Sequence, residues 1–454
     1  MTPARHPVDE VPPAGRLAAL GLQHVLAMYA GAVAVPLIVG GALKLPAADL
    51  AYLVNADLLM CGVATLLQCV GVWRFGARLP VMQGCTFAAV TPMVLIGTGG
   101  GGLPAVYGAV IASGLAMVLL APVFGRLLRF FPPLVTGTVI LVIGLTLLPV
   151  AGNWAAGGQG RDDFGAPRNL ALAGGVLAAI LAVQRFAPPL LARVAVLAGI
   201  AAGTVAAVPL GRADFSGVGD ARWAGVSEPF HFGAPSFEGG AVAAMLVVAL
   251  VTMAETTGDL VAVGELTGRE VDARRLADGL RADGVSTALG GVFNTFPYTA
   301  FAQNVGLVGL TRVRSRWVVA AAGGILVLLG LLPKLGALVA AVPVPVLGGA
   351  GLVMFGTVAA SGLRSLAGVD FREGHNLTVV AVSVAVGMLP VGVPGIYARF
   401  PDWFQTVMNS GISAGCATAV ALNLLFHHLP SRASRPAQHS GEAAAPDVAA
   451  GGHP

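Results

Sequence analysis

The sequence predicts an all-α polytopic membrane protein with about fourteen transmembrane segments in two inverted repeats of seven. Three observations predict it: too few charges for a soluble chain, a succession of apolar stretches with short polar breaks, and a Pro/Gly pattern that recurs at a fixed offset. Of 454 residues, 56% are hydrophobic and 11% charged, and the mean hydropathy is +0.82. A soluble domain carries about 25% charged residues, so this chain falls in the membrane class.

Apolar stretches lie near 17–43, 48–70, 80–98, 103–121, 130–150, 168–184, 193–210, 239–264, 278–294, 297–311, 317–333, 345–362, 376–395 and 405–427. Several are shorter than the ~20 residues a straight spanning helix needs, notably 80–98, 278–294 and 297–311. With both termini placed in the cytoplasm, nineteen Lys and Arg fall inside, among them Arg74, Arg126, Arg193, Arg274, Arg312 and Arg372. Seven fall outside, among them Lys44, Arg161, Arg212 and Lys334. This is the positive-inside asymmetry, and it supports an even number of spans. The formal charge of +4 therefore reports topology, and no nucleic-acid partner is expected.

Residues 1–14 read as a Pro-rich cytoplasmic tail, and the first apolar run is too long for the core of a secretory signal. Residues 429–454, rich in Ala, Pro, Gly and His, are expected to be a disordered cytoplasmic tail. Cys61, Cys69, Cys85 and Cys416 all lie in apolar segments without a Cys-x-x-Cys pair, and read as small buried hydrophobes. There is no phosphate loop of the Walker type, no zinc-ligand spacing and no nucleophile–base pair. No cofactor, metal site or enzymatic activity is expected, and the Gly-rich run at 97–102 reads as a loop.

The repeat shows in two stretches. Residues 122–137 read PVFGRLLRFFPPLVTG and residues 333–348 read PKLGALVAAVPVPVLG. At an offset of 211, Pro122 matches Pro333, Gly125 matches Gly336, Pro132 matches Pro343, and Gly137 matches Gly348. Each follows a broken apolar segment, and an odd number of spans per half would invert the second copy. In the first half the break is Gln83-Gly84-Cys85-Thr86-Phe87, flanked by Pro80 and Pro92. In the second half it is Gln303-Asn304-Val305-Gly306-Leu307-Val308-Gly309-Leu310-Thr311-Arg312, after Pro297. Non-helical backbone survives at membrane depth only where protein or a cavity satisfies it, and such segments point to a transporter's binding site. Gln303 is thus expected at a substrate.

The stretch 239–264 carries Glu255 and Asp259 after a long apolar run. Their i, i+4 spacing puts both carboxyls on one helix face, beside Thr252. A charge at bilayer depth costs roughly 3 kcal/mol on insertion scales, so the pair should face a polar cavity or partners. Beside a substrate, a protonatable carboxyl can couple proton movement to transport. The alternative is an internal pair that only fixes helix packing. His24 and Asp57, in the first two spans, could serve function or simply bond neighbouring helices. Asp283 stands near the start of a short span, where it could equally be a cytoplasmic helix cap.

With these residues in hand, the chain resembles the nucleobase–ascorbate transporter family, also called nucleobase:cation symporter family 2. The family signature is complete as Gln303, Asn304, Gly306, Thr311 and Arg312. Supporting matches are Gln23-His24, Asn55-Ala56-Asp57 with Gly62 and Thr65, Gln83-Gly84 with Phe87, and Glu255-Thr256-Thr257-Gly258-Asp259. The likeness covers residues 15–428. It implies short extended strands in segments 3 and 10 and an elevator-like alternation of access. It also implies core segments at 15–125 and 239–335, and gate segments at 126–238 and 336–428 that mediate homodimerisation. By resemblance, Glu255 binds substrate opposite Gln303, and Phe87 lines the pocket, with Asn304 and Gly306 alongside. Asp259, Asp283 and His24 match positions tied to proton coupling. Many uracil-type members carry Glu at the first signature position and His in place of Asp259. Gln303 with Asp259 resembles the xanthine- and urate-transporting branch, and implies a proton-coupled purine permease of the plasma membrane. The rival readings are a uracil permease of the same fold, an anion transporter of related architecture, and a passive channel.

Overall fold

Proline and glycine set many of the element boundaries. The computed structural model describes residues 6–372 and 374–428; the expected tail at 429–454 lies outside the described residues. The first half comprises α1 (Ala14–Ala42), α2 (Ala47–Val70), β1 (Gln83–Cys85), α3 (Val90–Ile96), α4 (Gly102–Leu127) and α5 (Pro133–Ala155). It continues with α6 (Pro167–Phe186), α7 (Pro189–Ala192), α8 (Ala195–Ala207) and α9 (Ser216–Asp220). The second half comprises α10 (Gly239–Thr267), α11 (Ala273–Val292), β2 (Tyr298–Ala300), α12 (Ala302–Thr311), α13 (Arg316–Gly330) and α14 (Pro333–Ala340). It ends with α15 (Val344–Leu366), α16 (Gly374–Gly392), α17 (Asp402–Met408) and α18 (Gly411–Asn423). Helices α5, α6, α7, α14 and α15 carry Pro in their first two positions, where the missing N–H is no loss and φ is already helical. Among the described residues, eight helices are long and apolar enough to cross a membrane, or nine if α13 and α14, bent by 81°, form one span.

The repeat is visible in the packing. Helix α2 packs along α13 and α4 along α11, while α1 meets α13 as α10 meets α4. Exchanging the halves turns each pair into the other, and α5 packs on its own counterpart α15. The α2–α13 contact is set by Gly62, where a Cβ would stand 2.6 Å from both the Gly323 carbonyl oxygen and the Val327 nitrogen. The α4–α11 contact is set by Gly284, where a Cβ would stand 2.8 Å from the Gly114 carbonyl oxygen and the Val118 nitrogen. Small residues let backbones touch where apolar helices gain little from burial alone. The Pro122/Pro333 match splits into two structures: Pro122 lies inside α4, whereas Pro333 opens α14 after the bend. Helices α5, α6, α8, α15, α16 and α18 pack largely among themselves, and α1, α2, α4, α10, α11, α13 and α14 form the other group.

Two expected boundaries are corrected. Helix α11 begins at Ala273 rather than 278, with Asp272 as its cap accepting from the Arg275 N–H at 2.7 Å. Asp283 is therefore mid-helix and fully buried, and its reading as a cytoplasmic cap fails. A hydropathy scan missed the first turns because Arg274, Arg275, Asp278 and Arg281 interrupt them, the last two as an ion pair at 2.5 Å. The single stretch expected at 405–427 is broken between α17 and α18, where the Ser410 hydroxyl caps the second helix through the Ser413 N–H at 3.2 Å.

The segment before α1 is seated. Val8 is fully buried among Ala77, Leu79, Val81, Leu260, Val263, Ala300 and Val305. Asp9 pairs with Arg316 at 2.8 Å and Arg269 at 3.2 Å, and the Ser315 hydroxyl donates to the Glu10 carbonyl at 2.6 Å. Val8→Asp is expected to cost about 2 kcal/mol or more, from lost apolar burial and a carboxylate without a partner. The measurement is the melting temperature of the detergent-solubilised protein, and no decrease would show that this contact is dispensable.

Candidate functional site

The site is built where the two broken segments meet. Strands β1 and β2 pair antiparallel, with Gln83 opposite Ala300, Gly84 opposite Thr299 and Cys85 opposite Tyr298. The Phe301 N–H to the Met82 carbonyl and the Thr86 N–H to the Pro297 carbonyl, both 2.9 Å, extend the ladder. Each strand then turns into a short helix. In the first half a tight turn at Phe87–Ala89, capped by the Thr86 hydroxyl, leads into α3. In the second half α12 starts at Ala302. Helix N-termini present unpaired N–H groups and a positive dipole end. Gln303 occupies the first turn of α12, and Phe87 opens the tight turn that leads into α3.

A cavity of about 290 Å³ opens there. Phe87, Gln303 and Gly306 line it, joined by Ala27 and Gly31 of α1, Phe301, and Gln184, Arg193, Val196 and Thr357 from the other helix group. Three of the expected substrate-binding residues are thus brought together. Phe87 is half-buried and meets Phe355 of α15 edge-on, with centroids 5.8 Å apart. Gln303 and Gly306 are exposed to the cavity, and no atom lies within 4 Å of where a Gly306 Cβ would stand.

The other expected residues are placed differently. Asn304 is buried and turned towards α1, its Nδ2 3.1 Å from His24 Nδ1 and donating to the His24 carbonyl at 3.0 Å. That contact ties α12 to α1, away from the cavity. Glu255 and Asp259 are half-buried on one face of α10; the residues lining the cavity do not include them. Neither carboxyl has a hydrogen-bond or ion-pair partner among the described residues, and the intervening Gly258 faces open space. The internal pairing alternative for Glu255 and Asp259 therefore has no bond to support it.

Asp283 sits beneath β2 instead. Its carboxyl accepts from Gln68 Nε2 at 3.0 Å and from the Thr256 hydroxyl at 2.6 Å. Thr256 in turn accepts from the Ala300 N–H at 3.2 Å and lies 3.2 Å from the Thr299 hydroxyl. Asp57 holds the strand pair from α2: Cys85 donates to it at 2.6 Å, the Tyr298 hydroxyl at 3.0 Å and Cys61 at 3.6 Å. Cys61 and Cys85 are free and buried, as expected, but they act as thiol donors to a carboxyl rather than only as apolar filler. Each half thus supplies one fully buried aspartate, and together they anchor the crossing strands. Sequence reasoning did not identify Gln68, Thr256, Phe301, Gln184 and Arg193. Thr256 was within reach because it directly follows Glu255 in Glu255-Thr256-Thr257-Gly258-Asp259; the others carry no local signal.

This geometry can be set beside known proteins. The family model Xan_ur_permease, described as "Permease family", matches residues 15–396. The chain belongs to this family. It is a multi-pass membrane transporter and not an enzyme. It is 46% identical over 423 residues to the uric acid transporter UacT of Escherichia coli K12, covering 92% of this chain and 88% of that one. It is 47% identical over 416 residues to the xanthine permease of Bacillus subtilis 168 (91% and 94% covered). It is 48% identical over 414 residues to the uric acid permease PucK of the same organism (90% and 95%). Among solved structures, the transmembrane domain of the cyanobacterial bicarbonate transporter BicA superposes with a TM-score of 0.58 at 15% identity, covering 91% of this chain and 98% of that chain. At that identity the likeness speaks for the fold alone.

Proposed function

We propose that this protein imports xanthine, uric acid or both by proton symport, with an elevator-like alternation of access. The observation that carries the proposal is the cavity at the start of the two half-helices, with Gln303 and Phe87 on its wall, in a chain close to uric acid and xanthine permeases over some 90% of its length. Its volume, about 290 Å³, lies at the small end of ligand pockets, ~300–1,000 Å³. That is room for a bicyclic base. Gln303 offers an acceptor and two donors in one plane, and ionised Glu255 would accept only. Purine diones carry ring N–H donors beside carbonyl acceptors, which suits that pair. Asn304 and His24 then position the helix that bears Gln303, while Asp259 and Asp283 are the remaining candidates for the coupled proton.

In this proposal the fourteen spans are α1, α2, β1–α3, α4, α5, α6 and α8, then α10, α11, β2–α12, α13–α14, α15, α16 and the α17–α18 pair. The first four of each set form the core that carries substrate, and the last three form the gate. The large exposed apolar side chains of α6, α8 and α16, such as Leu170, Leu181, Val205 and Leu377, suit lipid and a second copy of the gate. The charge asymmetry puts both termini in the cytoplasm of a cell whose plasma membrane holds the protein.

The test is reconstitution in liposomes with an inward proton gradient and labelled xanthine, urate, guanine and uracil. Concentrative uptake of xanthine or urate is expected; no concentrative uptake of any base would overturn the proposal. Gln303→Glu removes the two amide donors and adds a charge, so purine uptake is expected to fall at least about tenfold or to shift towards another base. Purine uptake that survives the change would detach specificity from this residue.

A further inference from the structure

The cavity has a second wall that no signature residue supplies. Besides Phe87 and Gln303, the cavity is lined by Gln184 in the last turns of α6, Arg193 between α7 and α8, and Thr357 of α15. Among the described residues lining the cavity, Arg193 carries the one charge. Its side chain is half-buried and has no hydrogen-bond, ion-pair or ring partner among the described residues. A guanidinium left unpaired on a cavity wall is free to pair with an anion, and such charge-assisted hydrogen bonds are stronger than neutral ones.

From this geometry we infer that Arg193, with Gln184 beside it, reads the negative charge of an oxidised purine anion from the gate side of the cavity. The inference rests on the proposed purine transport. Urate is a monoanion at neutral pH, and no other charged side chain among the described residues lines this cavity. A cation facing the cavity supplies the countercharge. The planar guanidinium fork can bind a carbonyl oxygen and the adjacent deprotonated ring nitrogen together, which an ammonium cannot do in the same plane. The wall formed by α12 and Phe87 thus reads the pattern of donors and acceptors, and the gate wall reads charge. Because the two walls belong to different helix groups, the anion would be held fully only while both face it.

Binding of labelled urate and of hypoxanthine, a neutral base, to the purified full-length protein tests this. Losing a charge-assisted bond of roughly 1.5–3 kcal/mol weakens binding about tenfold or more. Arg193→Gln is expected to weaken urate by that factor and hypoxanthine markedly less, and Arg193→Lys, which keeps the charge, to recover part of the loss. Unchanged urate affinity in Arg193→Gln, or equal weakening of both bases, overturns the inference. A second measurement does not depend on hypoxanthine binding. Arg193→Cys should react with an aqueous thiol reagent, and saturating urate should slow that reaction; no slowing overturns the inference. A wild-type protein that binds no purine would instead overturn the transport proposal, so the two failures are distinguishable.

Discussion

Glu255→Ala is expected to lower affinity for xanthine or urate by at least about thirtyfold. Removing one partner of a desolvated charge-assisted contact costs roughly 2–5 kcal/mol, and every 1.4 kcal/mol is about tenfold. Glu255 is half-buried on α10, one turn from Asp259, and no side chain of the described residues binds its carboxyl. Asp57 and Asp283 look different: both are fully buried and each accepts from at least two donors. A carboxyl left without partners at that depth is available to a ligand. The measurement is initial-rate uptake across substrate concentrations, with the amount of folded protein checked by size-exclusion elution. Normal KM and rate in Glu255→Ala would remove Glu255 from the site. Glu255→Gln separates roles, since it keeps an acceptor but cannot release a proton.

Gly284→Val is expected to prevent accumulation of the folded transporter. A Cβ there would stand 2.8 Å from backbone atoms of Gly114 and Val118, so relief requires α4 and α11 to separate. Overpacking costs typically 1–3 kcal/mol when side chains can yield, and here the obstacle is backbone, so the cost should reach or exceed the upper end. Gly62→Val should behave alike at the related α2–α13 contact, where the Gly323 oxygen and Val327 nitrogen stand 2.6 Å away. Gly306→Ala is the control: its surroundings are open, so the protein should fold and any loss should appear in transport. Monodisperse wild-type yields of Gly284→Val in fluorescence-detected chromatography would show that these helices can part without unfolding.

Much of the architecture was legible because membrane burial writes itself into composition. Apolar length located α1, α2, α5, α6 and α15 to within a few residues, since lipid leaves a spanning helix few other choices. The repeat was legible in Pro and Gly, whose backbone constraints recur wherever the same bend or close contact recurs. The start of α11 was not, because its first turns are charged and buried against protein, where hydropathy is no guide. Nor could spacing show that Asp283 lies beneath β2 and Asp57 beside Cys85, for these bonds join residues up to some two hundred positions apart.

What the sequence determined alone is the class of molecule, the two broken segments, and the residues Phe87, Gln303 and Gly306 that now share a cavity wall. Tertiary structure alone decided three things: that Asn304 turns to His24, that buried aspartates from both halves anchor the strand crossing, and that Arg193 faces the cavity from the other helix group. The physical reason is the range of the forces involved. Hydropathy and backbone permissiveness act within a segment and can be read along it. Which polar group meets which across the fold depends on where packing brings distant segments together, and no local pattern records that meeting.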